Sequence, residues 1–167
     1  MIPASQLRSP MHALPFWVSL AIVPLVFVAA ALGGAWFLLI PFVAWWLMGA
    51  LDLIFGLYSE NADPLTPDRD LSLYRLATMI WAPVQIVMIF GLIWFVQNAA
   101  TLTGWEKVGI FFSVGVLTGA VGITYSHELM HQKNRLERWF ADILLASVLY
   151  SHFRSEHLLV HHRYVGT

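Results

Sequence analysis

Five of the seven histidines in this 167-residue chain fall into two boxes whose spacing suits a metal. The first reads His127-Glu128-Leu129-Met130-His131. Two histidines at i and i+4 project from one face of a helix about one turn apart, a natural two-point grip on an ion. HExxH alone is equally the box of zinc hydrolases, with the glutamate as general base, and a pair of metal-free histidines at a membrane interface. The second box, Glu156-His157-Leu158-Leu159-Val160-His161-His162, repeats the i and i+4 spacing at His157 and His161. On an α-helix His162 lies about 100° further round, so it is expected to face away from that pair. Five imidazoles exceed the shell of one tetrahedral zinc, and two directions of approach suit a pair of ions. Imidazole serves zinc, copper, iron and nickel alike. A thiolate-free site beside apolar helices is compatible with redox iron, and spacing alone leaves zinc open.

The elements that must position these boxes lie in a membrane. The chain is 59% hydrophobic and 11% charged, against about 25% charged for a soluble domain, which excludes a water-soluble globule and a disordered chain. A net charge of −1 leaves no basic footprint for nucleic acid. With no cysteine there is no disulfide, thiolate-ligated cluster, CxxCH haem or cysteine nucleophile. Crossing the hydrocarbon takes about 20 apolar residues, and four stretches qualify: 14–32, 35–58, 73–97 and 105–126. Prolines 15, 24, 41 and 83 are compatible with helix there, because neighbouring helices re-satisfy the freed carbonyls. Segment 141–150 is apolar but too short to span, so it is expected as an interfacial or re-entrant helix returning towards the end of the fourth span. The fold class is therefore all-α, a polytopic membrane bundle forming one domain over 1–167.

Charge sets the expected orientation. Arg8 precedes the first span, while Lys133, Arg135, Arg138, Arg154 and Arg163 follow the fourth, and the 98–104 loop carries no charge. The positive-inside rule places the N-terminus and both histidine boxes in the cytoplasm, with the acidic 59–72 loop on the same side.

HELMHQ followed by EHLLVHHRYVGT resembles the first two histidine boxes of the integral-membrane alkane hydroxylases, in the wider group of membrane di-iron hydroxylases and desaturases. The likeness is good over 122–167, including Glu137-Arg138-Trp139 and Ser151-His152-Phe153. It is looser at Asp52–Gly56 and Asn61–Pro64. It implies that His127, His131, His157, His161 and His162 ligate two non-haem irons in a six-span fold of a bacterial inner membrane. It further implies a monooxygenase placing one oxygen of O2 on the terminal carbon of a medium-chain alkane, with electrons from rubredoxin and rubredoxin reductase. Val160 stands where relatives commonly have glycine. The family's further boxes lie beyond the second one, so the resemblance implies an N-terminal portion that lacks two spans and three or four ligands.

Other residues invite roles beside the boxes. Asp52 is a carboxylate inside the second span, a functional candidate by default, expected to orient a ligand imidazole through its free N–H. Glu128 and Glu156 adjoin box histidines and are candidates for the same task or for salt bridges. Trp45 lies seven residues before Asp52, close to two turns, and Trp45 or Trp46 is a candidate floor for an apolar substrate channel. His152 and His12 are left outside the ligand set. Lys133–Arg138 would attract an acidic electron donor or anionic lipid.

An alkane offers no polar handle, so recognition rests on burial at roughly 0.8 kcal/mol per CH2, and entry from the bilayer between helices follows. The competing readings are a xylene-type monooxygenase, a fatty-acid desaturase or hydroxylase, and an intramembrane zinc protease using His127, His131 and Glu128. The protease reading gives His157, His161 and His162 no task.

Overall fold

A computed structural model describes residues 4–56, 63 and 65–165. The end of the expected second span at 58, the Asn61-Ala62 and Pro64 positions and the final two residues lie outside that set. The described residues are helical without strands, and four helices are long and apolar enough to cross a membrane: α1 Pro10–Leu32, α2 Gly34–Ile54, α3 Asp68–Asn98 and α4 Gly104–Met130. The chain is a multi-pass membrane protein. A short helical turn, Ala4–Leu7, precedes α1.

Local chemistry sets the ends. Proline opens α1, where its missing N–H costs nothing. Gly33 and Gly34, at φ 66° and 58°, then turn the chain at once into α2, a conformation that penalises a Cβ. The same turn is held from across the bundle. Thr103 caps α4 in a capping box with Glu106, and Glu106 Oε1 also accepts from the Gly34 N–H. The carboxylate therefore closes two helix ends together.

Trp81, Met88 and Leu92 of α3 are fully buried in the bundle with Ile40 of α2 and Leu117 and Leu129 of α4. Apolar side chains such as Val87, Phe90 and Trp94 face outward, as expected where lipid is the solvent.

After α4 the chain turns back. α5, Arg135–Ser147, starts six residues before the expected interfacial helix and ends three before it. The early start follows from Asn134, whose side chain accepts from the Leu136 N–H at 2.9 Å. Glu137, in the first turn, is buried against Arg75 of α3 at 2.6 Å, so a charged residue that looked like loop belongs to the helix's inner face. The end comes where Leu149 takes a positive φ of 57°. Glu137, Ala141, Leu144 and Leu145 form the buried stripe, and Leu136 and Trp139 point out. Ser126 of α4 donates to the Ala141 carbonyl at 3.0 Å, and this docks α5 beneath the end of the fourth span, as its predicted return requires. Arg8 pairs with Asp70 at 2.9 Å, so the N-terminal segment, the start of α3 and α5 share one end of the bundle. A last helix, α6 (residues 152–164), follows, tied to α5 by Arg154 donating to Asp142 at 2.6 Å.

Candidate metal centre

The first box sits where α4 ends: His127 lies in its last helical turn and His131 caps it. The second lies on α6, whose middle, Glu156–His161, is a π turn. The two boxes meet. His157 Nε2 is 2.8 Å from His127 Nε2, 3.1 Å from His131 Nε2 and 3.0 Å from His162 Nε2. The ligand atoms of His127, His131 and His157 all lie within 4.8 Å of one another. His161 joins through its ring, stacked on His157 at 5.1 Å.

His162 departs from expectation. In a π turn the hydrogen bonds run from i to i+5 and each turn takes up more residues, so a residue five further on is rotated back toward the side of the first. His162 therefore reaches the same point as His157 instead of facing away. α4 carries a comparable π turn at Thr118–Ile123, just before the first box.

Valence shows what the cluster is for. A ring nitrogen holds either one proton or one lone pair, so three nitrogens at about 3 Å from His157 Nε2 cannot all be its hydrogen-bond partners. The nitrogens of His127, His131 and His157 are grouped closely enough to hold a metal ion. For metal–nitrogen bonds of about 2.1 Å, neighbouring octahedral ligands stand about 3.0 Å apart and tetrahedral ones about 3.4 Å. The three separations from His157 Nε2 match the former, and the donor set fits a first-row transition ion.

The electrostatics agree. The His131 and His157 imidazoles are held below their ordinary range, first by burial and then by the neighbouring imidazoles, with Glu128 opposing this at His131. Both favour the neutral form that a metal needs. Phe153 stacks on His157 at 5.2 Å and Tyr150 on Phe153 at 5.3 Å, which fixes the plane of the central ring.

The other candidates stand apart from the cluster. Asp52 and Glu156 are exposed, and among the described residues no hydrogen bond joins either side chain to a box histidine. Glu128 accepts from Gln132 Nε2 at 3.0 Å. Trp45 and Trp46 are 58% and 71% exposed, with Trp45 edge-on to Phe112 at 6.3 Å. They lie on a third π turn, Phe42–Leu47, so the spacing of seven to Asp52 does not correspond to two α-helical turns. His152 stands against Tyr150 at 4.6 Å, away from the converging nitrogens.

Sequence reasoning missed a groove of about 500 Å³ between α3, α4 and the end of α5, lined by Ile89, Phe111, Gly115, Thr118 and Gly119 and reaching Tyr150. Its Tyr150 end stacks on Phe153, which in turn stacks on His157. The bare positions Gly115 and Gly119, four apart on α4, were its available signal.

Residues 103–167, which contain both boxes, match the family model described as fatty acid desaturase. Alkane 1-monooxygenase 2 of Pseudomonas aeruginosa is 32% identical over 154 residues, covering 77% of this chain and 40% of the relative. Alkane 1-monooxygenase 1 of the same organism is 36% identical over 123 residues, covering 70% and 31%. Alkane 1-monooxygenase 2 of Alcanivorax borkumensis is 31% identical over 137 residues, covering 73% and 35%. The chain thus spans between 31% and 40% of the length of these relatives.

Proposed function

The chain belongs to the membrane alkane hydroxylases of the di-iron hydroxylase and desaturase group, and on that premise we propose that its two boxes ligate non-haem iron for terminal hydroxylation of alkanes. His127, His131, His157, His161 and His162 supply ligands to a pair of irons. The observation that carries this reading is the meeting of the two boxes, with the His127, His131 and His162 Nε2 atoms each within 3.1 Å of His157 Nε2 and the ligand atoms of His127, His131 and His157 within 4.8 Å of one another. Iron held there supplies the redox chemistry with O2 that an unpolarised C–H bond demands.

The chain's own residues do the rest. Phe153 holds the His157 ring plane, and Glu128, whose charge acts on His131, adjusts that imidazole. The groove beside Gly115 and Gly119 takes a medium-length hydrocarbon from the bilayer and aims its end along Tyr150 and Phe153. Trp45 or Trp46 limits chain length. The histidine end, which gathers Arg8 and the basic residues after α4, faces the cytoplasm of a bacterial inner membrane. There Lys133–Arg138 receives rubredoxin, itself reduced by its reductase.

Grafting residues 103–167 into alkane 1-monooxygenase 2 of P. aeruginosa tests the reading. The chimaera, assayed in membranes with octane and 18O2, is expected to yield labelled 1-octanol, and His157→Ala within it to abolish the label. An iron-loaded chimaera that makes no alkanol overturns the proposal. Because the matching family model is that of fatty acid desaturases, fatty acyl chains belong in the same assay. A new double bond in place of an alcohol would assign the chain to desaturation.

A further inference from the structure

The bundle buries one amide far more deeply than its chemistry favours. Gln85 lies in the middle of α3 with no solvent exposure, and burying an amide in an apolar setting is costly unless its hydrogen bonds are made. They are made, to chosen partners. Its Oε1 accepts from Trp81 Nε1 at 2.8 Å, and its Nε2 donates to Ser147 Oγ at 2.8 Å. Ser147 in turn donates to the Leu144 carbonyl at 2.7 Å.

The same oxygen rests on α4. A Cβ at Gly122 would stand 2.2 Å from Gln85 Oε1, so only glycine lets the two helices come this close. Gly122 belongs to the π turn Thr118–Ile123, five residues before His127. Ser147 ends α5, five residues before α6 begins with His152. Trp81 also lies edge-on to Tyr125 at 5.9 Å, two residues before His127. One side chain therefore touches both routes to the metal centre: the helix that delivers the first box and the end of the helix that launches the second.

We propose that Gln85 is a positioning residue for the metal centre, clamping the π turn of α4 to the end of α5 and so setting the separation of the two histidine boxes. The proposal rests on the metal-centre reading above. Gln85 approaches none of the ligand atoms and acts through Gly122 and Ser147. A residue needed only to fill space would be replaced without consequence by leucine, which is of similar bulk. A clamp would not.

The absence of cysteine gives a clean test in the full chain. Spin labels at Lys133→Cys and Arg163→Cys, in lipid nanodiscs, report the separation of the two boxes by electron–electron distance measurement without any metal. Co2+ titration in parallel reports affinity and the visible ligand-field bands. In Gln85→Leu, with helicity and thermal midpoint retained, the distance distribution is expected to broaden at least twofold. The Co2+ Kd is expected to rise about 10–100-fold, the range seen when a group supporting a ligand is lost, with shifted bands. Ser147→Ala, which removes only the link to α5, is expected to show the same changes at smaller amplitude and provides the test should Gln85→Leu fail to fold. An unchanged distance distribution and unchanged Co2+ spectrum in a folded Gln85→Leu or Ser147→Ala overturn the proposal. Broadening with no Co2+ bound even by the unsubstituted chain supports the clamp and sinks the metal-centre reading, so the two failures are told apart.

Discussion

Replacing His157 with alanine is the sharpest perturbation of the centre, because its Nε2 is the one atom approached by three other imidazole nitrogens. A four-ligand zinc site contributes about 10–16 kcal/mol, or about 2.5–4 kcal/mol per ligand. Losing one such ligand weakens binding by about 10²–10³-fold. Co2+ titrated into the nanodisc-embedded chain, followed by its visible absorption, is the assay. His157→Ala and His162→Ala are expected to fall in that range. His161→Ala should cost less for a single Co2+, about tenfold, since His161 stacks on His157 and its nitrogens, proposed as ligands of the second ion, do not join the close contacts at His157. His152→Ala should cost nothing. Free imidazole added to His157→Ala should restore part of the absorption by refilling the vacant position. The reasoning is refuted if His157→Ala keeps the parent affinity, or if His152→Ala loses as much, because then the contacts at His157 are side-chain crowding and not a ligand shell.

Three further outcomes follow from the structure. The lowered His131 and His157 values mean that the unfolded chain binds more protons than the native one near and below the ordinary imidazole value of 6.5, so stability and metal retention are full above that value and fall as pH drops through the lowered ones; retention that stays flat to pH 5 contradicts this. Glu137→Ala leaves Arg75, which is only 22% exposed, with Asp68 alone; breaking a buried pair costs about 3 kcal/mol, visible as a lower unfolding midpoint, whereas a change under about 0.5 kcal/mol would mean the pair is solvated. In the grafted relative, Gly119→Phe should shorten the longest alkane accepted, each lost CH2 contact weakening binding by about 0.8 kcal/mol, while in the full-length enzyme serine at Trp45 or Trp46 should lengthen it; product profiles unchanged at Gly119 remove the groove from the substrate path, and profiles unchanged at both tryptophans remove the channel floor.

Much of this architecture is readable from residues because a membrane asks for so little. Twenty apolar residues must form a satisfied helix, so four spans follow from hydropathy. The 33–34 glycine pair marks the first turn by its backbone freedom, and the five histidines announce themselves by spacing. What hydropathy could not show is tertiary. Glu137 looks like a loop charge until Arg75, 62 residues away in sequence, is seen beside it. The groove depends on which face of α4 the neighbouring helices leave bare. Gln85 was detectable by the same logic that singled out Asp52, a polar group placed where polarity is costly, but its partners lie on two other helices. Asp52 itself is exposed and shows no partner among the described residues.

The deepest disagreement between residues and structure lies in the helical period, and it bears on the site. Counting at 100° per residue separates His162 from His157 and divides the second box into two directions. The π turn Glu156–His161 adds about one residue to the repeat and brings His162 to within 3.0 Å of His157. A box of the form HxxxHH thus has two geometries: an α-helical one that offers a pair of ligands, and a π one that offers a cluster. The π form has strained hydrogen bonding and persists only where packing over-determines it. Here the stacked rings of Tyr150, Phe153 and His157 line one side of that turn, and Arg154 to Asp142 ties its start to α5. A second π turn precedes the first box, pressed on Gln85. Each arm of the centre therefore approaches through a helix wound off its preferred period and held there by neighbours. That arrangement lets two independent helices aim at one point, and it places the control of ligand geometry in residues such as Gln85 and Phe153 as much as in the histidines themselves.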